Sequence, residues 1–308
     1  LMSSVEGKVG EPRPKDVHTV QDGLWHKPTC LNNVETWANV PMIINKGAAW
    51  FASKGTKGSK GTKIFALTGR IKNTGLVEVA MGTTLRTIVY DIGGGPYDGS
   101  AIKAVQTGGP SGGCLPAEKF DLPVDFETLT EAGSMVGSGG MVVMDERTCM
   151  VDLAKYFLTF LQDESCGKCI PCRLGISRML EVLTDITEGR GRPEQLPLLE
   201  ELGGTMGQTC LCALGKTAPN PVLSTLRYFR KEYDSHIQEK SCPAGVCRAL
   251  IQYSVNAENC TGCGACLKAC PHMAITGEKK KPHKINQDLC TKCGICKDVC
   301  KFEAINVC

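Results

Sequence analysis

Cysteine is where the chemistry of this chain concentrates, and it falls in runs whose stride suits iron. Cys260-x-x-Cys263-x-x-Cys266-x-x-x-Cys270-Pro271 is followed by Cys290-x-x-Cys293-x-x-Cys296-x-x-x-Cys300, the same ligand spacing written twice. In a doubled run of this kind three closely spaced thiolates wrap one [4Fe–4S] cubane and the fourth reaches across to the other. Cys260, Cys263, Cys266 and Cys300 are therefore assigned to one cluster, and Cys290, Cys293, Cys296 and Cys270 to a second. Structural zinc asks for two C-x-x-C pairs per metal, which these runs fit poorly. Gly262, Gly264 and Gly294 let the backbone bend tightly and aim N–H groups at sulfide. Lys301 replaces the proline of the first run, a change in loop stiffness more than in ligation.

A further run, Glu164-Ser165-Cys166-Gly167-Lys168-Cys169-Ile170-Pro171-Cys172-Arg173, offers three thiolates at the mouth of a helix and lacks a fourth. Cys210 and Cys212, both just ahead of another helical segment, are the candidates, and spacing alone admits either. It also admits a zinc site of three local Cys and one distant one. A smaller group, His236-x5-Cys242-Pro243-x3-Cys247, reads as part of a zinc site that His283, in Lys281-Pro282-His283, folds back to join. The competing reading has His236 capping a helix C-terminus and two buried thiols. Cys30, Cys114 and Cys149 stand singly and read as small packing residues.

The elements that must position these groups are several. A chain of 308 residues exceeds what one core usually organises. Residues 1–53 mix turn signals with an apolar helical pattern at Val34, Trp37, Ala38 and Pro41 through Ile44, and the opening Leu1–Val5 reads as the tail of a helix, as in a fragment lacking its upstream part. The Gly/Lys stretch of residues 54–61 reads as a flexible solvated loop and a boundary. From Lys63 to Leu115, short β-type runs at Ile64–Leu67, Leu76–Val79 and Ile102–Thr107 bracket a helical segment at Leu85–Ile92, which together predict a small α+β domain. Helical strides at Val151, Ala154, Leu158 and Leu161, at Ile176, Met179, Leu180 and Leu183, and at Leu223, Leu226, Tyr233 and Ile237 predict helices of a bundle over 149–240. Residues 241–308 then form a separate, metal-nucleated unit.

Composition excludes other classes. Nineteen Cys in C-x-x-C runs, without a signal segment, argue for reduced thiols in a cytoplasmic setting rather than a disulfide framework. No apolar run approaches a membrane span. A formal charge of +3 spread over interspersed Lys and Arg leaves no footprint for nucleic acid.

Taken together, Glu164–Arg173, Asn32-Asn33-Val34-Glu35-Thr36, Gly108-Gly109-Pro110-Ser111-Gly112-Gly113-Cys114 and Cys212-Ala213-Leu214-Gly215 resemble the flavin-bearing NADH-oxidising subunit of respiratory complex I. Closer still is the likeness to the β subunit of soluble NAD(P)-linked, electron-bifurcating [FeFe]-hydrogenases, which append a two-cluster ferredoxin domain. The resemblance implies a β-grasp domain of the soluble-ligand-binding type over 54–148 and a four-helix bundle over 149–240 with one [4Fe–4S] cluster. It implies Cys166, Cys169, Cys172 and Cys212 as ligands, with Cys210 a bystander, and Asn32, Asn33 and Thr36 against FMN, so that residues 1–53 are the end of a flavin and NADH domain. The family's glycine-rich flavin and nicotinamide loops lie upstream of Leu1, and His18, in Lys15-Asp16-Val17-His18-Thr19, stands where the family commonly has an aromatic. The implied partners are a [2Fe–2S] thioredoxin-like subunit, a hydrogenase catalytic subunit and soluble ferredoxin. The alternatives are the same part of a formate dehydrogenase, or a non-catalytic polyferredoxin.

Overall fold

The computed structural model describes residues 1–13 and 17–307. Lys15 and Asp16, at the head of the segment containing His18, and the terminal Cys308 lie outside the described residues.

The first part of the chain carries α1 (Met2–Val5), α2 (Val34–Lys46) and α3 (Ala48–Ala52), none of which buries a residue. The apolar stripe of α2 faces outward, with Val34 85% and Ile44 75% exposed. Glu35 ties α2 to the sheet: its carboxylate accepts from Lys63 Nζ and from the Ile64 N–H.

A mixed five-stranded sheet follows, built from β1 (Thr62–Gly69), β2 (Gly75–Ala80), β3 (Ile102–Thr107), β4 (Cys114–Pro116) and, after α4 (Phe126–Glu131), β5 (Gly140–Asp145). Its order is β2-β1-β5-β3-β4, with β1 and β5 parallel and the other pairs antiparallel. Alternation along β1 turns Phe65 and Leu67 inward, where Leu85, Ile88 and Val89 from the segment before and within a π turn at Thr87–Ile92 cover them. The Gly/Lys stretch is mostly exposed, as a solvated loop should be, but it is anchored at two points. Ser59 is buried and bonds the Phe126 N–H, and Thr56 donates to Asp125, the N-cap of α4.

Helices α5 (Met150–Asp163), α6 (Ile170–Thr187), α7 (Gln195–Thr209), α8 (Ala213–Thr217), α9 (Asn220–Tyr228) and α10 (Arg230–Asp234) come next. α5 packs on α6 and α9, and α7 packs on the same two, closing a ring of four. The stride Val151, Ala154, Leu158, Leu161 meets Ile176, Met179 and Leu183 in one core with Leu199, Val222 and Tyr233. α10 runs on into a second π turn, Ser235–Glu239, which ends on left-handed Lys240.

The last unit repeats a small motif twice: β6 (Tyr253–Val255), α11 (Ala265–Ala269) and β7 (Ile275–Thr276), then β8 (Lys284–Ile285), α12 (Ile295–Asp298) and β9 (Ile305–Val307). β6 pairs antiparallel with β9 and β7 with β8, so the halves are interleaved. Its core is not separate from that of the helices. Buried residues run from Tyr233 and Ile237 through Cys242, Cys247 and Leu250 into Ile251, Tyr253 and Ile305. Among the described residues no helix is long and apolar enough to cross a membrane.

Candidate metal centres

Three groups of four cysteines converge. In the helical ring, Cys166, Cys169, Cys172 and Cys212 line one cavity of about 190 Å³ together with Glu164, Ser165, Lys168, Leu214, Gly10 and Pro12. Two of the four stand at helix starts, Cys169 as N-cap of α6 and Cys212 as N-cap of α8, and Cys172 lies in the first turn of α6. Helix N-termini carry partial positive charge and free N–H groups, a setting that favours an anionic centre. Cys169 shows the effect: burial raises its pKa, but backbone N–H groups, those of Leu211 and Cys172 foremost, outweigh it and hold the thiol below its ordinary value. Ser165 Oγ lies 3.3 Å from Cys172 Sγ, and Lys168 pairs with Glu11, tying the first part of the chain to the rim.

Cys210 does not line that cavity. It is 3% exposed, its thiol is pushed up to about 12 by burial, and it hydrogen-bonds the Cys169 thiol. A Cβ on Gly215 would stand 2.8 Å from Cys210 Sγ and 3.2 Å from Cys172 Cβ, so this glycine is what lets α8 approach.

In the C-terminal unit, Cys260, Cys263, Cys266 and Cys300 line one cavity, and Cys270, Cys290, Cys293 and Cys296 line another. The fourth cysteine of each run thus sits with the first three of the other. The loops are shaped for close approach: Gly262 has φ +66°, and a Cβ there would collide with the Lys281 backbone. Backbone N–H groups point at sulfur, Ala274 at Cys270 (3.3 Å) and Ala304 at Cys300 (3.4 Å). All these thiols are free, so the donor set fits iron–sulfur centres.

A fourth site is fully buried and differs from the sequence expectation in one member. Cys149, His236, Cys242 and Cys247 bring their ligand atoms within 4.8 Å of one another. His283 is not among them; it lies in the cavity of Cys260, Cys263, Cys266 and Cys300. Cys149 stands where His283 was expected: as the N-cap of α5 it lies 3.3 Å from His236 Nε2 and 3.8 Å from Cys247 Sγ. Zn–S bonds of about 2.3 Å in a tetrahedron put two thiolates about 3.8 Å apart. A cubane carries each thiolate on a different iron and needs a wider set. His236 Nδ1 donates to the Glu232 carbonyl at 2.7 Å, which fixes the tautomer and leaves Nε2 facing the thiols. Burial lowers the His236 pKa, but its contacts with Cys149 and Cys242 outweigh that and raise it to about 10. Hydrogen bonds to Cys149 and to each other couple Cys242 and Cys247, pushing the Cys242 thiol down and the Cys247 thiol up.

Glu232 serves more than the histidine. Its carboxylate accepts from Lys103 of β3 at 2.5 Å and from the Met150 N–H at 3.0 Å, next to Cys149. Of the other single cysteines, Cys114 is buried and its thiol is pushed up to about 12 by burial, which fits packing, whereas Cys30 is exposed and accepts from Asn32 Nδ2 at 3.4 Å. Asn32, Asn33 and Thr36 are exposed at the start of α2, and Asn33, the N-cap, makes no capping bond from its side chain. His18 lines a cleft with Leu1, Glu11 and Arg13.

Fold and sites define an iron–sulfur protein with a helical cluster region and a ferredoxin-type two-cluster unit. Residues 152–236 match the NADH-ubiquinone oxidoreductase-F iron-sulfur binding region and residues 253–307 the 4Fe-4S dicluster domain. The chain is 55% identical, over 99% of its length and 62% of the relative's, to NADP-reducing hydrogenase subunit HndC of Solidesulfovibrio fructosivorans. It is 43% identical to the F 2 subunit of NADH-quinone oxidoreductase from Rhizobium meliloti (strain 1021), over 79% of this chain and 58% of that one. Among solved structures, an NAD+-reducing [NiFe]-hydrogenase in the H2-reduced state superposes with a TM-score of 0.71 at 33% identity, over 77% of this chain and 40% of that one. The chain thus spans about three fifths of the two relatives.

Proposed function

We propose that this chain is the electron-relay portion of the NAD(P)H- and FMN-dependent oxidoreductase subunit of a multisubunit hydrogenase, holding three [4Fe–4S] clusters and one structural zinc. The observation that carries this reading is the sorting of twelve cysteines into three cavities of four, each gathered from two stretches of chain. A [4Fe–4S] cluster supplies one-electron redox chemistry whose potential depends on its surroundings. The protein's part is ligation, spacing and tuning. Cys166, Cys169, Cys172 and Cys212 hold the first centre at two helix starts, and the laced Cys runs hold the other two in one small unit. Cys149, His236, Cys242 and Cys247 bind the zinc that fixes how that unit hangs on the helices.

The strand order β2-β1-β5-β3-β4 with parallel central strands supports a β-grasp domain, and the ring of α5, α6, α7 and α9 supports a four-helix bundle. Asn32, Asn33 and Thr36 supply uncharged donors and acceptors suited to FMN in the longer subunit. The partners on this reading are a [2Fe–2S] thioredoxin-like subunit, the hydrogenase catalytic subunit and a soluble ferredoxin, in the cytoplasm. The test is anaerobic iron, sulfide and zinc analysis with electron paramagnetic resonance on the reconstituted chain. About twelve irons and one zinc are expected; an iron-poor, colourless product refutes the relay.

A further inference from the structure

The offset that carries Cys260 onto Cys290 also carries Tyr253 onto His283, so the C-terminal repeat pairs a phenol with an imidazole. Each serves the opposite half: Tyr253 lines the cavity of Cys270, Cys290, Cys293 and Cys296, and His283 that of Cys260, Cys263, Cys266 and Cys300. Tyr253 begins β6 and His283 immediately precedes β8, which gives both a fixed place in the interleaved strands.

His283 is 4% exposed, and its Nδ1 is buried with no hydrogen-bond partner among the described residues. The ring packs closely on Gly277, where a Cβ would lie 2.7 Å from its Cδ2. A buried polar nitrogen left unpaired is costly, so its partner is to be sought in what fills the cavity. Thiolate and inorganic sulfide accept hydrogen bonds and donate none. A ring nitrogen bonded to them therefore carries the proton.

We propose that His283 is a positioning residue that donates its Nδ1–H to a sulfur of the centre held by Cys260, Cys263, Cys266 and Cys300, and so raises that centre's reduction potential. This rests on the relay reading above. Adding an electron makes the centre more negative, and a fixed N–H dipole stabilises the reduced form more than the oxidised one. This exchange of imidazole for phenol, together with His272 lining the second cavity where Phe302 lines the first, makes the two halves unequal.

The experiment is a redox titration, followed by electron paramagnetic resonance, of the full chain reconstituted anaerobically. It compares wild type with His283→Phe, His283→Gln and His283→Tyr, the last borrowing the repeat's own residue, and with the reciprocal Tyr253→His. With iron and sulfide content unchanged, His283→Phe and His283→Tyr should each move one midpoint negative by a factor of ten or more in the reduction equilibrium, about 59 mV for one electron. The amide N–H of His283→Gln should recover part of that shift, and Tyr253→His should move the other midpoint positive. Unchanged midpoints in variants with full iron content overturn the role of His283 and leave the ligand assignment standing. Absence of iron from the wild-type chain overturns the relay reading itself.

Discussion

Replacing Cys149 by Ser tests the least local assignment made for this molecule. The substitution removes one of four ligands at a buried site in which Cys149 Sγ lies 3.3 Å from His236 Nε2 and 3.8 Å from Cys247 Sγ. Structural zinc contributes about 10–16 kcal/mol to small zinc-folded units, so a quarter share is about 3 kcal/mol. That is on the order of a hundredfold in affinity. Because zinc binds the folded state, the same loss appears as instability, and about 2–4 °C per kcal/mol for a unit of 150–250 residues gives a fall in Tm of about 6–12 °C. Zinc per chain is measured by mass spectrometry after dialysis against chelators of graded strength, and Tm by circular dichroism. Cys149→Ser should lose zinc to a chelator that wild type withstands, while His283→Ala should keep it. Wild-type zinc retention in Cys149→Ser, or zinc loss in His283→Ala, would refute the geometry.

Three other outcomes follow from the same structure. Cys212→Ser should lower iron by about four atoms per chain, one cubane's worth, whereas Cys210→Ser should lower it by none, as read by iron and sulfide analysis. Gly215→Ala should destabilise the helical region by about 1–3 kcal/mol in denaturant melts, since its Cβ would press on Cys210 at 2.8 Å. Asp125 is held at a pKa of about 2, first by the Thr56 hydroxyl and then by hydrogen bonds at the start of α4. Its depressed value means its stabilisation is complete above the unfolded value of about 3.9 and is lost as pH falls through about 2. Asp125→Ala should cost about 1 kcal/mol at pH 7 and flatten the acid limb of the stability profile in that window.

Much of the molecule is legible in the sequence because its signals are local. The doubled Cys runs carry their ligand sets in their spacing, and the strides of α5 and α6 carry their buried faces. β5 escapes such reading since Gly140–Asp145 lies in the middle of the sheet and buries Met141, Val143, Met144 and Asp145, leaving little alternation to detect. α7 escapes it because Gly203, Gly204 and Gly207 weaken its helical signal. The two π turns have no sequence period to reveal them. Cys149 is illegible for a different reason: it is far along the chain from Cys242 and Cys247, and only the packing of α5 beside the second π turn brings it to them. A lone Cys directly ahead of an amphipathic helix, with a zinc group elsewhere one ligand short, is the available hint. Proximity in sequence draws His283 to the wrong site, although its match to Tyr253 in the repeat points to the right cavity.

Glu232 offers its two carboxylate oxygens and its carbonyl to three parts of the chain: a sheet lysine, the first turn of α5 and His236. That makes it a keystone. On the relay reading, shifting it would let the C-terminal unit tilt like an arm on a loosened joint, altering the gaps between iron sites while every ligand stayed bonded. Electron hopping weakens steeply with distance, so such a chain would be fully loaded with metal and still conduct poorly, a fault that counting iron atoms would never reveal.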